Sequence, residues 1–211
     1  IITGSFVSVT YSLGAAGFIG IALFQLLAAV FAMFNTDSSN CLSNALGASV
    51  CAIAGIHYRW MRERFNDVSE MTATRYSDWY ITTILMLIEF FNLAGTLVSR
   101  WGWLLGACLS CELMIISGHI ATVNRMNKYR YYLIYVFGIL CSLVLIICYL
   151  IGTVLDNSND NTWMHIFASL WILYPFAFWT KSYKNLTYNI LDFYAKGIFG
   201  LVLGLLTFTA S

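Results

Sequence analysis

The sequence predicts an all-α membrane protein of seven transmembrane helices, and three observations carry that prediction. Of its 211 residues, 60% are hydrophobic and 10% charged, and the mean hydropathy is +0.75, a balance suited to a bilayer rather than to water. Apolar stretches of about the length that crosses a hydrocarbon core, roughly 20 residues, use up nearly the whole chain. The links between them are short and polar, so residues 1–211 read as a single domain without an internal repeat or low-complexity linker.

The first stretch covers residues 14–34; no charge precedes residue 37, and a short polar link, 35–40, follows. The second, 42–60, is rich in Gly, Ala and Ser, which let neighbouring helices approach closely, and it runs into a charged loop at 59–70. Five more stretches follow at 76–98, 103–123, 131–154, 163–180 and 186–209. The one proline, Pro175, falls inside the sixth, where a membrane helix tolerates a kink. A net charge of +1 gives no reason to expect nucleic acid or an acidic substrate. The six cysteines lie in or beside apolar stretches and read as small hydrophobes rather than a disulfide framework or a metal site. Ile1 in place of Met points to a processed or truncated start.

Ionisable residues inside these stretches are the functional signal. A charge at the bilayer centre costs about 2.5–3.5 kcal/mol on insertion scales, and five such residues occur: Asp78, Glu89, Glu112, Asp192 and Lys196. Asp78, Thr82 and Glu89 stand at i, i+4 and i+11, so on a helix the two acids share a face at depths about 16 Å apart. Asp192 and Lys196 are i and i+4, one turn apart. Taken alone they could be a structural ion pair. Joined to the acids of the third stretch, they make a proton path, and a lysine held in a dry pocket is suited to forming a Schiff base with an aldehyde.

The segment RYSDWYITTILMLIE, residues 75–89, resembles the third helix of the microbial rhodopsins, most of all the proteorhodopsins, and NLTYNILDFYAKGIFG, residues 185–200, resembles their seventh. Trp171, Tyr174 and Pro175 in WILYP resemble the helix that encloses retinal in that family. The resemblance implies a seven-helix bundle around all-trans retinal, attached to Lys196 as a protonated Schiff base. It implies Asp78 as primary counterion and proton acceptor, Asp192 as second counterion, Glu89 as proton donor, and Arg75 on the release side. Thr82 completes the proton-pump pattern with Asp78 and Glu89. His57, in HYRWM, matches a histidine that hydrogen-bonds the acceptor carboxylate; alone, it reads as an interfacial histidine. Trp79, Met114, Gly118, Trp171 and Tyr174 match positions around the polyene, and Met86 matches the colour-tuning position, where a nonpolar side chain implies green absorption. Ile84 stands where the family commonly has proline.

The implied activity is light-driven outward proton transport by a transporter rather than an enzyme, with protons as the cargo, the lipid bilayer as environment, and a ring-like homo-oligomer by analogy. A sensory photoreceptor or a light-gated cation channel are the alternatives; the carboxylic donor Glu89 favours the pump. A protonated Schiff base needs anions within about 4–6 Å to keep its proton, and Glu89 must start as the neutral acid, which its neighbours Leu85, Ile88 and Phe90 favour by desolvation. Glu112 has no place in the family pattern and reads as a neutral group at a helix or subunit contact. The expected location is a plasma membrane or an endomembrane, crossed several times. Arg59, Arg62, Arg64, Arg125, Lys128, Arg130, Lys181 and Lys184 crowd one side of the chain against Arg100 on the other. By the positive-inside rule the crowded side faces the cytoplasm; the resemblance implies the reverse and is weighed above it.

Overall fold

The computed structural model describes residues 4–35, 37–123, 127–154, 162–177 and 183–209. Among the described residues the chain forms seven helical rods and no strand: α1 Gly4–Phe34, α2 Ser38–Glu63, α3 Val68–Leu93, α4 Trp101–Val123 and α5 Lys128–Thr153, then two composite rods. In α6, Thr162–Ser169 and Leu173–Ala177 flank a 3-10 turn at Leu170–Ile172; in α7, Lys184–Asp192 and Phe199–Thr209 flank a π-helical stretch at Phe193–Ile198.

Side-chain capping, more than apolar length, decides where α2, α3 and α5 begin. The segment 59–70, expected as a loop, is mostly helix: α2 continues to Glu63, and α3 starts at Val68 because the Asp67 carboxylate accepts the N–H groups of Ser69 (2.9 Å) and Glu70 (3.0 Å). Asp37 caps α2 through Asn40 N–H, and Asn127 caps α5 through Arg130 N–H, each at 2.9 Å. Hence Arg59, Arg62, Lys128 and Arg130 belong to helix ends rather than loops. Arg125, Lys181 and the end of the sixth stretch, 178–180, lie outside the described residues. The third helix ends at Leu93, five residues short of the expected 98, and runs unbroken through Ile84. Pro175 has its effect in α6. A proline ring crowds the carbonyl of residue i−4, here Trp171, and supplies no N–H to it, and the rod tightens there into the 3-10 turn, with Leu173 N–H donating to Leu170 O.

The chain divides into two compact units, Ile1–Phe65 with Asn161–Ser211, and Asn66–Asp160. In the first, α1 packs along α2 at bare positions: a Cβ on Gly14 would come 2.6 Å from Tyr58 Cδ1, so the ring lies directly on the α1 backbone. Phe24 and Phe31 of α1 meet Phe208 of α7 at 5.7 and 4.9 Å between ring centres. In the second, α4 packs between contacts with α3 and α5, and Phe90 meets Tyr149 edge-on at 5.9 Å. Leu13, Leu23, Leu27 and Phe34 of α1, and Leu133, Leu140 and Ile147 of α5, are exposed; the hydrocarbon of a bilayer is the medium in which such rows rest without cost. Among the described residues, five helices are long and apolar enough to cross a membrane: Val7–Phe34, Ser38–Glu63, Trp101–Val123, Lys128–Thr153 and Lys184–Thr209. Of the other two rods, α3 carries Arg75, Asp78 and Glu89, and α6 is broken at its 3-10 turn. All six cysteines are free thiols.

Candidate functional site

In the first unit the site is built on the π-helical stretch of α7. Asp192 ends the α-helical part and Lys196 lies within the wide turns that follow, a distortion that recurs at functional positions. Both side chains are buried, at 0% and 2% exposure, with Lys196 Nζ 3.9 Å from Asp192 Oδ1. That is ion-pair range but beyond hydrogen-bond length. The carboxylate is fixed instead by two phenols: Tyr58 OH donates to Oδ2 at 2.9 Å and Tyr174 OH donates to Oδ1 at 2.7 Å. Hydrogen bonds to a carboxylate are among the stronger ones, so three rods, α2, α6 and α7, hold this anion in one orientation.

Each phenol is held in turn. Tyr58 is wedged between Tyr11 and Phe18 at 5.7 and 5.1 Å over bare Gly14, and Tyr174 stacks on Tyr188 at 6.0 Å. Tyr174, expected only as a pocket wall, therefore also orients Asp192. Tyr58 was not among the expected site residues; its one sequence signal is its place beside His57. His57 itself is buried, its Nδ1–H donating to the Ile53 carbonyl at 2.9 Å and its ring edge-on to Trp60 at 5.2 Å. Trp171 and Pro175 are half-buried in and just after the 3-10 turn of α6.

In the second unit, α3 buries Arg75, Asp78, Trp79, Thr82, Met86 and Glu89. Arg75 lies over the Trp79 ring, Cζ 5.9 Å from its centre, a cation–π distance. Thr82 Oγ1 donates to the main-chain carbonyl of Asp78 at 2.8 Å, so its hydroxyl serves the helix backbone there. Asp78 is fully buried. Glu89 is 1% exposed, and neither carboxyl oxygen has a hydrogen-bond partner. On α4, Met114 is half-buried, and a Cβ on Gly118 would stand 3.2 Å from the Tyr76 hydroxyl, so Gly118 gives room to that phenol. Tyr76 OH and Thr122 Oγ1 are 3.1 Å apart, Tyr80 OH and His119 Nδ1 are 3.1 Å apart, and the Tyr76 ring stacks on His119 at 4.5 Å. This tyrosine–histidine cluster was not expected from the sequence. Glu112 is half-buried, with Oε1 enclosed and unpartnered. Among the described residues no group of His, Cys, Asp and Glu could hold a metal ion.

A family model described as bacteriorhodopsin-like protein matches residues 8–210. The green-light absorbing proteorhodopsin of Gamma-proteobacterium EBAC31A08 is 27% identical over 180 residues, 73% of this chain and 69% of that protein. Bacteriorhodopsin-I of Haloquadratum walsbyi is 31% identical over 147 residues, 61% of this chain and 56% of that one. Among solved structures, viral rhodopsin OLPVRII superposes with a TM-score of 0.81 at 19% identity, covering 97% of this chain and 99% of that chain. Xanthorhodopsin, described as a light-driven ion pump with dual chromophore, gives 0.80 at 19% identity, covering 99% and 94%. At these identities the two structures show a shared fold.

Proposed function

This chain belongs to the bacteriorhodopsin-like protein family of type 1 rhodopsins, integral membrane proteins, and from that premise we propose that it is a light-driven outward proton pump carrying all-trans retinal on Lys196, with residues 1–211 acting as one domain. The residues fit the cofactor. Lys196 offers a buried amine, and Asp192 offers an anion 3.9 Å away whose oxygens are already oriented by two phenols. Retinal, when bound, supplies light absorption and an isomerisation that re-aims the N–H of the linkage and changes its proton affinity. Lys196 provides the nitrogen. Asp192 keeps a fixed negative charge beside it, and its clamp by Tyr58 and Tyr174 means that this carboxylate stays in place while others exchange protons.

Asp78, fully buried, is the acceptor and takes a proton on its carboxylate. Arg75 stabilises the anionic state on the release side, and His57 tunes the acceptor. Glu89 is the donor. The observation that carries pumping, beyond retinal binding, is its carboxyl group enclosed in α3 with both oxygens unpartnered. An ionised carboxylate stranded in such surroundings costs far more than the neutral acid, so Glu89 stores a proton at rest and gives it up when the nitrogen at Lys196 has lost its own. On the family pattern, Trp79, Met86, Met114, Gly118, Trp171 and Pro175 are the residues that would surround the polyene.

The deciding experiment is the light-induced pH change of cells that express the chain with added retinal, with and without a protonophore. Acidification abolished by the protonophore is the expected result. Alkalinisation would mean inward transport, and no change from a coloured sample would point to a sensor or a channel. Glu89→Gln is expected to leave the colour unchanged and to slow recovery of the dark state about 100-fold or more, the range that proton-transferring groups contribute. Flash spectroscopy reads both, and a wild-type recovery rate would remove Glu89 from the mechanism.

A further inference from the structure

Gln25, the one glutamine of the sequence, lies fully buried on α1, and neither atom of its carboxamide has a hydrogen-bond partner in the protein. The group lies against α7: a Cβ on Gly200 would stand 2.6 Å from Gln25 Oε1 and 2.9 Å from Nε2, so a bare residue at 200 is what admits the amide. Gly200 follows Lys196 by four residues, and the Lys196 carbonyl accepts a long hydrogen bond from the Cys51 thiol of α2 at 3.7 Å. Further along the same rods, Asn44 of α2 is also fully buried. Its Nδ2 donates to Thr207 Oγ1 and to the Asn40 carbonyl, both at 2.8 Å, while its Oδ1 is enclosed without a partner.

Three orphaned polar atoms thus lie in one unit, on α1 and α2, beside the part of α7 that runs from Lys196 toward its C-terminal end. Eleven residues separate Lys196 from Thr207, about 16 Å of helix rise. Buried amides without a protein partner meet ordered water in folded proteins, because a dry orphan is too costly to persist. An apolar side chain at residue 25 would meet no such demand, and the rest of α1 from Ile19 to Phe34 is otherwise apolar.

We propose that Gln25 and Asn44 anchor ordered water between α1, α2 and α7, and that this file conducts protons toward Lys196 from the C-terminal end of α7. The transport role rests on the pump reading; the hydrated site does not. Each water accepts one proton and releases another along its hydrogen bonds, so no bond to carbon or nitrogen in Gln25 changes. The carboxamide is a positioning group whose Nε2–H donates to one water and whose Oε1 accepts from another.

Because Gln25 is the one glutamine, glutamine labelled with ¹⁵N in the side chain gives a single carboxamide signal from the whole retinal-loaded protein in bilayers. Magnetisation transfer from water to that signal in the dark is expected. Its absence would overturn the proposal whatever the protein transports. In the light, Gln25→Met is expected to slow proton uptake about tenfold with the absorption band unmoved, and Gln25→Glu, which keeps a hydrogen-bonding head group, to restore it. This effect is smaller than the 100-fold or more carried by a group that itself exchanges the proton. Wild-type uptake in Gln25→Met would overturn the relay. A wild-type protein that moves no protons in the light but shows the water contact would overturn the relay through the pump reading, leaving the hydrated site standing.

Discussion

Replacing Lys196 by alanine is expected to give a colourless protein: with all-trans retinal added, the visible absorption band disappears and the light-induced pH change falls to that of cells lacking the chain. The sequence has four lysines. Lys128 and Lys184 lie in the first turns of α5 and α7, each amine over a tyrosine ring, and Lys181 lies outside the described residues. Lys196 is buried with a carboxylate 3.9 Å away. The substitution also leaves Asp192 without its cation, a loss of the kind that costs about 3–5 kcal/mol when a buried pair is broken, offset in part by the two phenols that remain. Thermal unfolding of the retinal-free protein measures that second effect separately from colour. A visible band that survives in Lys196→Ala would mean that the chromophore is attached elsewhere, and the assignment would fall.

Asp78→Asn is expected to lower light-driven proton transport by about 100-fold or more while shifting the absorption band to the red. Both effects have one origin. On the proposed reading the Asp78 carboxylate would hold positive charge at the nitrogen and provide the base that receives its proton. Asparagine would do neither; with retinal bound, the charge would be less confined to the nitrogen, lowering the excitation energy, and the proton would lack its acceptor. The two readouts are independent: a red shift with normal transport would keep Asp78 as a counterion and remove it as the acceptor. Asp192→Asn makes a useful contrast, because Asp192 already has three protein partners in place.

The parts of this molecule that were legible in the sequence are those where chemistry and medium conflict. Charged residues inside apolar stretches are few and costly, so Asp78, Glu89, Asp192 and Lys196 announced themselves, and the structure buries all four. The number of rods was legible for the same reason. Their ends were not: at the water boundary a capping carboxylate such as Asp67 sets the first turn, and hydropathy carries no information about it. Tyr58 was hidden because a phenol near a helix end has the look of an interfacial anchor, and nothing local says that its hydroxyl meets a carboxylate 134 residues away. Gln25 was hidden by its neutrality; an amide in an apolar run passes every test based on charge. The division of α7 into α, π and α parts was also illegible, since a lone glycine, Gly197, in an otherwise helix-compatible run does not mark a π stretch.

That division has a consequence for how the chain tolerates insertion and deletion. A π-helical stretch carries more residues per turn than an α-helix, so it acts as an extra residue absorbed into the rod. Removing one residue between Phe193 and Ile198 would let α7 close into regular helix, and the part beyond it would keep nearly the same face relative to Asp192. Gly200 would still face Gln25, and Thr207 would still face Asn44, while Asp192 kept its phenols. The wide turns at Phe193–Ile198 thus make this the part of α7 that can lose a residue while its two ends keep their neighbours, whereas the same deletion in the regular helix on either side would turn the ends about 100° apart.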